Sequence, residues 1–110
     1  MTLEEEVSAV KAALEGKGAT DIKAYDVRGI SGLADVFVVA TGSASPHLKA
    51  LVTAAEEAVS AAGSRSHRIS GDPESGWIVV DCIDVVVHVF SPEARAYYAL
   101  EKLWYKAPLI

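Results

Sequence analysis

The run Val36-Phe37-Val38-Val39-Ala40 constrains this chain more than any other stretch. Successive side chains alternate sides along a strand, so a run that is apolar at every position and rich in β-branched residues has no face to give to water. It predicts a central strand covered on both sides, and therefore a sheet packed by other elements above and below. The rest of the sequence must supply those layers.

Upstream, Leu3, Val7, Val10 and Leu14 recur at helical spacing, with Glu4, Glu5, Glu6 and Lys11 largely outside, and Gly16 and Gly18 end the helix. Residues 21–28 form a modest strand candidate and 29–32 a turn. After the central strand, Ser45-Pro46 reads as an N-cap and first helical position, because proline there forfeits no useful donor. Leu48, Leu51, Val52, Ala55, Val59 and Ala62 then give a helical stripe ending at Gly63. An edge-strand candidate at 66–70 precedes a polar loop at 71–76, whose composition marks it as the least ordered segment. Two strands, 77–81 and 85–90, follow so closely that a hairpin is expected, with its turn at Cys82-Ile83. Ser91-Pro92 repeats the cap-and-proline device and opens a last helix with Ala96, Tyr97, Leu100, Leu103 and Trp104 on its apolar face. The order α-β-β-α-β-β-β-α predicts an α/β (α+β) fold, a single mixed sheet of about five strands with helices against it.

A chain of 110 residues is the size of one domain, spanning 1–110. Its formal charge of -5 argues against binding nucleic acid through phosphate neutralisation, which needs a surplus of Lys and Arg. A basic protein is the more natural partner. The single cysteine, Cys82, forms no internal disulfide, and the acidic amphipathic start is unlike a signal peptide. No stretch approaches the roughly 18 apolar residues of a membrane span, so the chain reads as soluble and intracellular.

Candidate chemistry is sparse. Thr41-Gly42-Ser43 lies where a strand meets a helix, a place where backbone amides can hold phosphate and where nucleotidyltransferase sites open. Such enzymes also need carboxylates converging on magnesium, and Glu56 and Glu57 fall within a helix while Asp81 and Asp84 flank a turn. A structural turn is the favoured reading. His47, His67 and His88 share no ligand spacing with one another or with Cys82, so no metal is expected. Acids on both sides of Cys82 disfavour its thiolate. His88 shares its strand face with Val86 and Phe90 and is either a buried histidine or a contact residue. Asp81 and Asp84 read as turn residues or as an acidic knob for Lys or Arg. Tyr97, Tyr98, Trp104 and Tyr105 exceed the needs of one buried stripe, which favours an interface, with Glu101 and Lys102 beside them.

Three segments carry a resemblance. They are Asp26-Val27-Arg28 with Ser31, running into 34–43 and His47; Gly71 with Trp77-Ile78-Val79-Val80-Asp81 and 84–90; and Arg95, Tyr98 and Leu100-Glu101-Lys102-Leu103-Trp104. Through them the chain resembles the ribosomal silencing factors of the Iojap-like family. The resemblance implies a nucleotidyltransferase-like fold without enzymatic activity or cofactor. It further implies docking on a basic protein of the large ribosomal subunit's intersubunit face, exclusion of the small subunit, reduced translation under nutrient limitation, and a possible homodimer when free. Of the matched residues Asp35, Trp77, Asp81, Asp84, His88, Arg95, Tyr98, Glu101 and Trp104, the expected contacts are Asp81, Asp84, His88, Tyr98 and Glu101, together with Lys102. Trp77 and Trp104 are alternatively core, and Asp35 is expected to fix a loop. Ile83 departs from the pattern: a β-branched residue resists the positive φ of a two-residue turn, which leaves the aim of Asp81 and Asp84 open.

Overall fold

Two strands are buried along their whole length: β2 (Val36–Thr41) and β5 (Val85–Phe90), paired in parallel at the centre of one sheet from Val36 opposite Val85 to Thr41 opposite Phe90. The structure, a computed structural model, describes residues 2–30, 32, 34–61, 63, 67–104 and 106–110. Ser31, Ala62, Ser66 and Tyr105 of the readings above lie outside the described residues. Around the parallel pair, β1 (Thr20–Asp26), β4 (Trp77–Asp81) and β3 (Arg68–Asp72) add antiparallel neighbours, giving the order β1-β2-β5-β4-β3. This is the mixed five-stranded α+β sheet expected from the sequence, and it is compatible with a nucleotidyltransferase-like arrangement.

One face is covered by α1 (Leu3–Gly16) and α2 (Ser45–Ala61), whose Val7, Val10, Leu14, Leu48, Leu51 and Val59 meet Val38, Val80, Val87 and Val89 of the sheet. Thr2 caps α1 and trades hydrogen bonds with Glu5 in a capping box. The T-x-x-E spacing is its signal in the sequence. Ser45 does not cap α2 as expected. It is the first helical residue, and its hydroxyl donates to the Pro73 carbonyl at 3.3 Å.

The other face carries α3 (Pro92–Tyr98) and a 3-10 turn at Leu100–Trp104. Ser91 caps α3 as the sequence predicts, its Oγ accepting from the Ala94 amide at 3.1 Å with Pro92 in the first turn. The single long last helix is corrected, because Ala99 takes a left-handed conformation at φ 47° and breaks it in two. The break redirects the chain so that Trp104 turns inward, while Tyr97 and Leu103, both expected on the apolar face, are 82% and 70% exposed. The loop at 71–76 is also corrected. Gly71 and Asp72 belong to β3, and Asp72 Oδ1 accepts from the Ser75 amide at 2.8 Å, tying a short turn into β4.

Residues 108–110 run beside the outer edge of β1, where the Asp26 amide donates to the Pro108 carbonyl and the Ile110 amide to the Ala24 carbonyl, both at 2.9 Å. Among the described residues no helix is long and apolar enough to cross a membrane.

Candidate functional site

Alternation along β4 and β5 sends Trp77, Val79, Asp81, Val86, His88 and Phe90 to the face that α1 and α2 leave uncovered. Phe37 of β2 and Tyr25 of β1 join them, and Trp104 packs down onto Phe37 with ring centroids 4.3 Å apart. The covering segment is short, so it leaves an open groove of about 420 Å³ lined by Phe37, Trp77, Val79, Asp81, Val86, His88, Leu100, Leu103 and Trp104.

A charged clamp holds that segment in place. Arg95 donates from Nε and Nη2 to the two carboxylate oxygens of Glu101, at 2.7 and 3.1 Å, and from Nη1 to Thr41 Oγ1 and the Asp21 carbonyl, at 2.8 and 2.7 Å. The Tyr25 hydroxyl donates to Glu101 as well. Hydrogen bonding from Arg95 holds the Glu101 carboxyl below the usual carboxylate range, while burial and Glu101 raise the Tyr25 phenol. Glu101 was expected as a partner contact; both its oxygens are instead committed inside the protein. Neither Tyr25 nor the role of Arg95 as a clamp was legible in the sequence, because the partners lie on distant elements.

His88 is buried, as the first of the two sequence readings has it, and its ring also lines the groove. Its Nδ1 accepts from the Trp77 indole N–H at 3.2 Å. Indole nitrogen only donates, so Nδ1 holds a lone pair and the neutral ring carries its proton on Nε2. Nε2 is buried and has no protein partner. Burial pushes His88 down to about 4, against a smaller upward pull from Asp81, so the ring is neutral near pH 7.

The hairpin tip settles the turn. Cys82 still pairs with Val85, its amide donating to the Val85 carbonyl at 2.9 Å, so the loop residues are Ile83 and Asp84 rather than Cys82 and Ile83. Ile83 adopts φ 73°, and the Asp84 amide donates back to the Cys82 carbonyl at 2.9 Å, a γ-turn of the strained positive-φ kind. Asp81 Oδ1 supports it by accepting from the Ile83 amide at 2.9 Å. The two acids therefore diverge. Asp81 edges the groove, whereas Asp84 bears on Glu6 of α1, whose carboxyl is raised by burial and by the Asp84 charge. The Asp84 carbonyl accepts from the Asp35 and Val36 amides at 2.9 and 3.0 Å, so Asp35 does fix a loop, through its backbone.

Of the expected contacts, the structure gathers Asp81 and His88 at the groove, packs Tyr98 against Trp77 with the rings tilted and their centroids 4.7 Å apart, and leaves Lys102 exposed on the 3-10 turn. Cys82 is buried and its thiol is pushed up to about 11 by burial, then by Glu6, Asp81 and Glu56, so it is not a nucleophile. At Thr41-Gly42-Ser43 two backbone amides are spent: that of Gly42 on the Phe90 carbonyl and that of Ser43 on His47 Nδ1, each at 2.9 Å. A Cβ at Gly42 would meet Leu48 at 2.8 Å, so close packing accounts for that glycine. Among the described residues no group of three or more His, Cys, Asp or Glu side chains is placed to hold a metal.

A family model described as "Ribosomal silencing factor during starvation" matches residues 1–110. The chain is 41% identical over 98 residues to ribosomal silencing factor RsfS of Bacillus subtilis, covering 89% of this chain and 83% of that one. It is 30% identical over 102 residues to a mouse protein named "Mitochondrial assembly of ribosomal large subunit protein 1", covering 90% of this chain and 45% of that one. A solved structure from Chromobacterium violaceum superposes with a TM-score of 0.89 at 34% identity, covering 94% of this chain and 87% of the other. On that match along its whole length, the chain belongs to the ribosomal silencing factor (RsfS) family.

Proposed function

We propose that the chain is a non-enzymatic brake on translation. It docks through the aromatic face on a basic protein of the large subunit's intersubunit side and keeps the small subunit from joining when nutrients are scarce. The observation that carries this reading is an open apolar groove, edged by the Asp81 carboxylate, on a chain of net charge -5. Apolar anchoring supplies affinity, and the acidic balance steers the chain toward cationic side chains and away from bare RNA. Occlusion asks only for residence time. The two apolar clusters share one sheet, which supports a single working domain. The bacterial relatives support a cytoplasmic site of action.

Asp81, His88, Tyr98 and Lys102 are the proposed direct contacts, with Asp84 as a peripheral one. Glu101 acts by shaping the segment that forms the groove. Gradient co-sedimentation with isolated large subunits tests the reading, together with a subunit-joining assay. Wild type should travel with the large subunit and block joining, and Asp81→Lys should bind about tenfold more weakly. A chain that stays at the top of the gradient sinks the proposal. The enzymatic alternative has little support, because the Gly42 and Ser43 amides already have partners and, among the described residues, no carboxylates converge to hold a metal beside them.

A further inference from the structure

Among the described residues, the buried side-chain polar atom without a hydrogen-bond partner is Nε2 of His88. The Trp77 indole fixes this atom as the donor, since it occupies Nδ1. A buried N–H with no acceptor costs the free protein stability and returns nothing to it. Of the other side chains lining the groove, Asp81 alone is a strong acceptor, and it holds the Ile83 amide at the hairpin tip. The remaining lining is aliphatic or aromatic.

These features describe a ligand. Apolar walls select an apolar side chain, and the orphan donor selects an oxygen acceptor beside it. The Asp81 charge at the rim disfavours a carboxylate or phosphate in that role and favours a neutral carbonyl accompanied by a cation. A peptide segment from a basic protein meets all three conditions, and RNA, a polyanion, fails the last. We propose that the groove takes an apolar side chain of the docking partner, that its entry lifts the 3-10 turn enough to open the buried His88 Nε2–H to a backbone carbonyl of the same segment, and that a Lys or Arg of it faces Asp81. This rests on the docking reading above and specifies what the partner presents.

The test titrates isolated large subunits with fluorescently labelled full-length chain. His88→Phe keeps the ring's bulk but loses both nitrogens, and it should bind about tenfold more weakly. His88→Gln can accept from Trp77 and still donate, so it should stay within about threefold of wild type. Equal affinity for wild type and a folded His88→Phe overturns the groove inference while the docking reading stands. Failure of wild type to bind overturns both. A His88→Phe chain that binds subunits normally but sediments lighter than wild type when free would place a second copy in the groove, and that too overturns the proposal. A long-range nitrogen NMR spectrum of the free protein should show the Nε2–H tautomer. Finding the Nδ1–H form removes the premise whatever the variants do.

Discussion

On the side of the sheet facing α1 and α2, Val38, Val80, Val87 and Val89 disappear beneath two long helices, and the contacts are almost wholly aliphatic. On the opposite side, Phe37, Trp77, His88 and Phe90 lie beneath a seven-residue helix and a five-residue 3-10 turn that ends in the inward-facing Trp104, and the cover stops short. Aliphatic packing under a complete cover gains nothing from a partner. Aromatic rings with a polar edge, left partly open, do. The comparison separates the half of the molecule that maintains the fold from the half that has something to offer another surface.

Leu51 on α2 is fully buried, so Leu51→Ala should give the largest loss of stability, about 2–5 kcal/mol in chemical unfolding. The molecules that remain folded should still bind large subunits with wild-type affinity. A selective binding defect would erase the division between the faces.

Acid should attack the aromatic face first. An unfolded histidine takes up a proton near 6.5, but folded His88 resists until about 4. The unfolded state therefore binds more protons in that window, and stability that is whole above about 6.5 drains away as pH falls toward 4, on the order of 3 kcal/mol. Glu101, depressed in the folded state, adds a further loss below the ordinary carboxylate range. In denaturant melts across pH, His88→Phe should remove the first phase and keep the second. A first phase that survives would assign it elsewhere.

Arg95→Ala should cost about 2 kcal/mol by leaving the half-buried Glu101 carboxylate without its cation. Tryptophan emission should redden before global unfolding, because Trp104 rides on the clamped segment. Simultaneous loss of both signals would mean that the two faces melt as one. The smallest effect belongs to the hairpin. Ile83→Gly should stabilise the fold by roughly 1 kcal/mol or less, since Ile83 is 65% exposed and its φ of 73° strains a β-branched residue. A decrease would mean that the Ile83 side chain contributes more than its exposure implies.

The legible parts of the molecule were those written in local pattern. The apolar run at 36–40 announced a doubly covered strand, and Ser91-Pro92 announced a helix start, because each signal is complete within a few residues. The break at Ala99 was not legible. Nothing in an alanine asks for a left-handed backbone, and the clamp from Arg95 to Glu101, Thr41 and Asp21 that accompanies it joins residues far apart in the chain. Ser45 misled for a related reason: its neighbour Pro46 fitted a cap, but a carbonyl from a distant turn claimed its hydroxyl. At the groove, Asp81 and His88 could be singled out from strand alternation. That Glu101 turns inward, and that Trp77 decides which nitrogen of His88 is a donor, depended on three-dimensional neighbours.

The parallel pairing of β2 with β5 also bears on how the molecule comes into being. Val36 meets Val85 across the middle of the sheet, with a helix and two strands of chain between them. A strand apolar on both sides must therefore wait, without its central neighbour, until nearly the whole sequence is present. Closing so long a loop is slow. The central pair on which both faces rest thus forms late, and a nascent chain has no docking surface to present before then.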